Sequence, residues 1–94
     1  MPFEEFKTSL QQSSPPASLN ALVQALWFDG KGNWEAAHNL AQDVNTNNGS
    51  WVHAYLHRKE GDVGNASYWY HRAGKKMATS SLEEEWAAIV KTLL

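Results

Sequence analysis

Cysteine is absent from this 94-residue chain. That removes disulfides, cysteine-based zinc sites and thiol nucleophiles, and it fits a reducing compartment, so the cytoplasm is the expected location. Positive charge is not in excess: eight Lys and Arg against ten Asp and Glu leave a net charge of −2. A nucleic-acid binder needs a basic face to neutralise phosphates, so no nucleic-acid partner is expected. No apolar run approaches the ~18 residues that span a bilayer, so no membrane partner is expected either. The start Met1-Pro2-Phe3-Glu4-Glu5 is acidic and lacks the apolar stretch of a signal peptide. Strand-like alternation is missing. So are a nucleophile elbow and a phosphate loop, because Gly30-Lys31-Gly32 has the flanking spacing of neither. No cofactor is expected. An enzyme is disfavoured, with Glu60 and His57 the one local pair suited to acid–base work.

What is present is a repeat. Leu22-Val23-Gln24-Ala25-Leu26-Trp27, then Gly32-Asn33, then Ala37, recurs as Trp51-Val52-His53-Ala54-Tyr55-Leu56, then Gly61-Asp62, then Ala66. Gly32 to Gly61 and Ala37 to Ala66 are both 29 positions apart. One helix–turn–helix unit cannot bury its apolar face alone, so copies stack. The chain is long enough to bury roughly 60–65% of its unfolded surface, which suits one thin core. Its hydrophobic fraction of 43% argues against wholesale disorder. Five Trp supply large anchors for a small core or for an interface.

The spacing predicts six helices, or five and a loose N-terminal turn. Phe3, Phe6 and Leu10 fall at helical spacing behind Pro2. Ser14 before Pro15-Pro16 reads as the cap of a helix carrying Leu19, Leu22, Val23, Leu26 and Trp27. Asn33 caps the next, with Ala36, Ala37, Leu40, Ala41 and Val44 inward. Asn45-Thr46-Asn47-Asn48-Gly49 ends it, and Ser50 caps a third with Trp51, Val52, Tyr55 and Leu56 on one side. Gly61 stops that helix and Asp62 caps a fourth, with Val63, Ala66, Trp69, Tyr70 and Ala73 inward and Gly74 past its end. A capping box, Ser80 with Glu83 or Ser81 with Glu84, opens the last helix, whose stripe is Leu82, Trp86, Ile89, Val90 and Leu93.

Gly32-Asn33-Trp34-Glu35-Ala36-Ala37 resembles the turn and second-helix start of a tetratricopeptide repeat. Gly61-Asp62, Ala66, Tyr70 and Ala73 match the same positions in the second copy. Trp69-Tyr70-His71-Arg72-Ala73-Gly74 is similar to the close of the SEL-type repeats. The resemblance spans roughly residues 21 to 74, with a unit shorter than the standard one. It implies an all-α domain over 1–94 built of antiparallel helix pairs, with repeats at about 18–45 and 47–74 and a capping helix at about 80–94. It also implies a scaffold that binds proteins or peptides, with no catalysis.

The second copy carries a dense polar and aromatic stretch, and it supplies the candidate ligand-binding residues His53, His57, Arg58, Glu60, Asp62, Asn65, Tyr68, His71 and Arg72. His53 and His57 are one helical turn apart, a metal-ligand spacing to which His71 or Glu60 adds a third group. The residue after His53 is Ala54, not the Glu of the zinc-protease signature, and the reading without a metal is preferred. In it the two His form a polar flank or hydrogen-bond against the neighbouring helix. Glu60 and Asp62 are placed to pair with Arg58 and Arg72, aiming guanidinium forks at a carboxylate or phosphate. The first copy has the plainer set Asp29, Lys31, Asn33 and Ala36 at equivalent places.

The expected function is therefore a protein-interaction or assembly module. The competing reading is a small-molecule, anion or metal-binding protein that uses His53–Arg72. If the polar residues pair among themselves, the scaffold is favoured; if they line a pocket without partners, the ligand binder is. The wide final stripe and Leu94 add an expectation of a homodimer formed through a terminal helix, against a monomer whose last helix closes the second repeat.

Overall fold

A computed structural model describes all 94 residues as six α-helices without a strand: α1 (Phe3–Ser9), α2 (Ala21–Gly30), α3 (Trp34–Gln42), α4 (Asn47–Glu60), α5 (Val63–Ala73) and α6 (Leu82–Leu93). None is long and apolar enough to cross a membrane.

The two tight turns are built alike. Gly32 and Gly61 take φ values of 83° and 88°, which a residue without Cβ adopts freely. The Gly32 N–H donates to the Asp29 carbonyl and the Asn33 N–H to the Phe28 carbonyl. Gly61 and Asp62 repeat the pattern onto Arg58 and His57. This double bond closes a helix with a left-handed glycine. Asn33 and Asp62 then cap the following helices, accepting from the N–H groups of Ala36 and Asn65. The 29-residue offset in sequence is thus an offset between two turns with the same hydrogen bonds and the same cap position.

Each turn folds one helix back on its neighbour, α2 with α3 and α4 with α5. In the second pair Ala54 meets Ala66 and Tyr70, while Lys75 lies over Trp51, so chain positions run in opposite senses. The alanines at the crossings, Ala37 and Ala66, are fully buried. α3 packs on α4 and joins the pairs, and α6 packs back on α2 and α4. The main core contains Leu22, Val23, Leu26 and Trp27 of α2, Val52, Tyr55 and Leu56 of α4, Ile89 and Val90 of α6, and Phe6 of α1. α1 is fastened by Trp27 Nε1, which donates to the Ser9 carbonyl, and by Lys31 Nζ, which donates to the carbonyls of Leu10 and Gln12.

Three sequence expectations are corrected. The second helix starts after Asn20, not Ser14, because the Asn20 side chain accepts from the Val23 N–H; Pro15-Pro16 stays in the connection. The helix expected after Ser50 starts at Asn47, because Thr46 Oγ1 accepts from the Gly49 N–H. Val63 points outward, 61% exposed, at the first position of α5, where α4 has already ended. Of the two capping boxes, Ser81 with Glu84 forms.

Candidate functional site

α4 is the central helix, touching α2, α3, α5 and α6. Every residue from Val52 to His57 is therefore buried, including the two histidines. They form no polar flank. His53 is 6% exposed and bonds the adjacent helix: its Nε2 lies 2.9 Å from Nε2 of His38 on α3. One of those rings must donate and the other accept, so at least one of them is neutral.

His57 completes the group. Its ring centroid is 4.7 Å from that of His53 and 5.3 Å from that of His38. One nitrogen from each of the three rings lies within 4.8 Å of the others. Two indoles frame them. Trp34 stacks on His38 at 4.8 Å and Trp69 stacks on His53 at 4.0 Å. Trp34 is itself fixed by its N–H, which donates to the Leu56 carbonyl at 2.7 Å. On the far side of His57, Nδ1 lies 3.3 Å from Glu60 Oε1.

Burial dominates the electrostatics. Desolvation, followed by the positive charges His38 and His57 would carry, lowers the pKa of His53 to about 4. Desolvation and then His57 also lower that of His38, opposed by Glu60. These rings are unprotonated at neutral pH, the form that binds metals.

The remaining candidates scatter. Arg58 turns away from the turn and donates from Nη1 to Glu85 Oε1 of α6 at 2.8 Å, and from Nη2 to the Ser80 carbonyl. The Tyr70 hydroxyl donates to the other oxygen of Glu85, and burial, then this carboxylate, pushes the phenol pKa up. The guanidinium forks expected from Glu60 and Asp62 do not form, because buried Glu85 claims Arg58 first. Asp62 bonds Asn65 through both the side-chain amide and the backbone N–H, and those bonds hold its carboxyl below the usual range. Arg72 lies over Trp69 at 5.2 Å and reaches the Tyr68 hydroxyl at 3.3 Å. Tyr68, His71 and Arg72 are all exposed on the outer face of α5.

Position 58 has a counterpart at 29. Asp29, 2% exposed, accepts from the Tyr55 hydroxyl at 2.7 Å and from Lys59 Nζ at 2.8 Å. In each pair, the charged residue on the last turn of the first helix is tied to a later helix. Asp29 and Tyr55 also border an open cleft of about 340 Å³ between α1, α2, α4 and α6, lined too by Lys7, Lys59, Glu83 and Trp86. None of the nine candidate residues lines it.

His38 was missed by sequence reasoning, as was the role of Trp34. The available signal was the packing expected of successive helix pairs, which here sets α3 against α4, and the break in the 29-residue correspondence that puts His38 where Ser67 stands later. No protein-family model matches this chain, and comparisons with curated proteins and with solved structures likewise return no match.

Proposed function

We propose that this chain is a small tetratricopeptide-like interaction module whose outer α5 face binds a protein or peptide partner. The observation that carries the reading is the state of that face. α5 packs chiefly on α4, while α6 turns back onto α2 and α4 instead of stacking as a further repeat would. Tyr68 is left 54% exposed, its ring edge-on to the half-buried Trp69 at 5.2 Å. Arg72 lies over both rings, and Lys75 sits 4.0 Å from the centroid of the neighbouring Trp51. Tyr, Trp and Arg are the side chains that most often anchor protein interfaces.

Charge narrows the partner. From Val63 to Lys76 there is no carboxylate, while Arg72, Lys75 and Lys76 carry three positive charges. A peptide segment with an aromatic or apolar anchor flanked by carboxylates complements this strip. Support also comes from the internal pairing of the polar stretch. Arg58 is held by Glu85, Asp62 by Asn65 and His57 by Glu60, so no cluster of free guanidinium groups awaits an anion.

The test is a photo-crosslinking amino acid placed at Tyr68 in living cells, with the same group at exposed Thr92 of α6 as a control. Discrete adducts from position 68 that disappear with Arg72→Glu are expected. Identical adducts from both positions, or none from position 68, overturn the reading. An adduct with a second copy of the chain identifies the partner as itself.

A further inference from the structure

We propose that His38, His53 and His57 form a three-imidazole site for a divalent transition ion, zinc foremost, which bridges the first helix pair to the second. Its ligands lie on α3 and α4, not on α5.

The spacing comes first. With metal–nitrogen bonds of ~2.1 Å, neighbouring ligands of a tetrahedral ion stand about 3.4 Å apart. Here one nitrogen from each ring lies within 4.8 Å of the others, and the closest pair is 2.9 Å apart. Rotations about χ1 and χ2 that unstack the His53 and His57 rings would bring three such nitrogens onto one ion. The ligands come from two helices held rigidly together, His38 from α3 and the i, i+4 pair His53 and His57 from α4. That is a firmer frame than a loop gives.

The surroundings resemble the outer layer of a metal site. Metal-bound histidines commonly use their second nitrogen on a carboxylate, which fixes the tautomer and raises ligand basicity. Nδ1 of His57 faces Glu60 at 3.3 Å, leaving Nε2 as that ring's other nitrogen. His38 and His53 are clamped in plane by Trp34 and Trp69 at 4.8 Å and 4.0 Å. A purely structural polar contact needs no third imidazole, and three rings converging from two helices gain their joint use from one cation. Imidazole without carboxylate in direct ligation selects zinc, copper, nickel or cobalt over magnesium and calcium. Three protein ligands leave a fourth position for water or for a donor from outside the chain.

The experiment uses the full chain without an affinity tag, stripped with chelator and titrated calorimetrically with Zn2+, then with Mg2+. One Zn2+ per chain is expected, with no Mg2+ uptake and a rise in melting temperature as the ion fills the site. His38→Gln, whose ring is only half-buried, lowers Zn2+ affinity by more than about tenfold, the scale on which even outer partners act. Glu60→Gln, on an exposed side chain that acts through His57, weakens it by about tenfold. His71→Gln, the exposed histidine of α5, leaves it unchanged. Circular dichroism confirms that each variant is folded, and visible absorption of the Co2+ form reports four-coordinate ligation, three imidazoles and a fourth donor, without relying on stability. Absence of saturable Zn2+ binding, binding that survives His38→Gln, or equal loss in His71→Gln overturns the proposal.

Discussion

Gly49 is specified by its neighbour more than by its own conformation. A Cβ there would sit 1.9 Å from the carbonyl oxygen of Val44, a backbone atom that cannot step aside. Gly64, in the first turn of α5, is the opposite case: an added Cβ meets nothing nearer than 3.9 Å. Helical alanine is ordinarily worth up to about 1 kcal/mol over glycine. Gly64→Ala is therefore expected to stabilise the fold by about 0.5–1 kcal/mol, while Gly49→Ala costs about 2–3 kcal/mol by overpacking. Urea midpoints of the two variants check this, and equal effects would mean that the Val44–Gly49 contact does not exist in solution. At the same scale, His53 sets a pH dependence for the metal-free protein. His38 from α3, His57 from α4 and the Trp69 ring from α5 face it. Its folded pKa, near 4, lies below the unfolded 6.5, so the unfolded chain takes up the proton first. The contribution of His53 is complete above pH 6.5 and is lost as pH falls toward about 4. A loss on the order of 2 kcal/mol is expected over that window. His53→Gln should flatten that part of the stability profile; an unchanged slope would place the titration elsewhere.

Between elements, the fold divides into what is local and what is not. The caps Asn33 and Asp62 and the glycine turns were legible because each is decided within a few residues of chain, and the buried alanines Ala37 and Ala66 because the 29-residue offset marks them. Ala66 packs against Ala54 and Tyr70, so Ala66→Leu is expected to cost ~1–3 kcal/mol. A change within the ~0.5 kcal/mol typical of exposed sites would contradict that packing. The burial of α4 on all sides was not legible. A helical wheel assigns His53 and His57 to a flank, and only contact with α3 and α5 makes that flank interior. His38 was invisible for the same reason, since nothing within its own helix marks it. Arg58 likewise pairs across 27 residues with Glu85, a partner no turn-centred reading reaches. That pair ties α4 to α6, with Tyr70 of α5 on the second carboxylate oxygen. Arg58→Met alone strands a buried carboxylate and is expected to cost about 3 kcal/mol or more. Replacing the network together, as Arg58→Met with Glu85→Leu and Tyr70→Phe, should recover most of the loss, because desolvation and attraction disappear as one. Additive losses in denaturant unfolding would show that the three residues are not coupled.

At the scale of the molecule, the question is which apolar surface is left over. The Cα radius of gyration of 12.2 Å matches the ~12 Å expected of a packed chain this long, so the helices leave no large gap. The final stripe that first suggests a dimer is occupied from within. Trp86 packs against Phe3 at 6.0 Å and Phe6 at 5.8 Å, and its N–H donates to the Leu26 carbonyl at 2.9 Å. Ile89 and Val90 belong to the main core, and Leu82 and Leu93 pack against it. α6 thus serves α1 and α2 as a lid, and a dimer through α6 would have to give up these contacts first. The aromatic surface still open lies on α5, at Tyr68. The two faces therefore respond differently to truncation. Trp86→Ala is expected to lower stability by about 2–3 kcal/mol, somewhat under the usual 3–5 kcal/mol because the ring is half-buried. That loss should be the same at every protein concentration, since it arises inside one chain. Tyr68→Ala should leave unfolding almost unchanged. Melting curves across a wide concentration range, read beside sedimentation of both variants, check the assignment. A Trp86→Ala loss that grows with concentration would mean that α6 is shared between two chains, because only a coupled association makes stability depend on how many protomers are present.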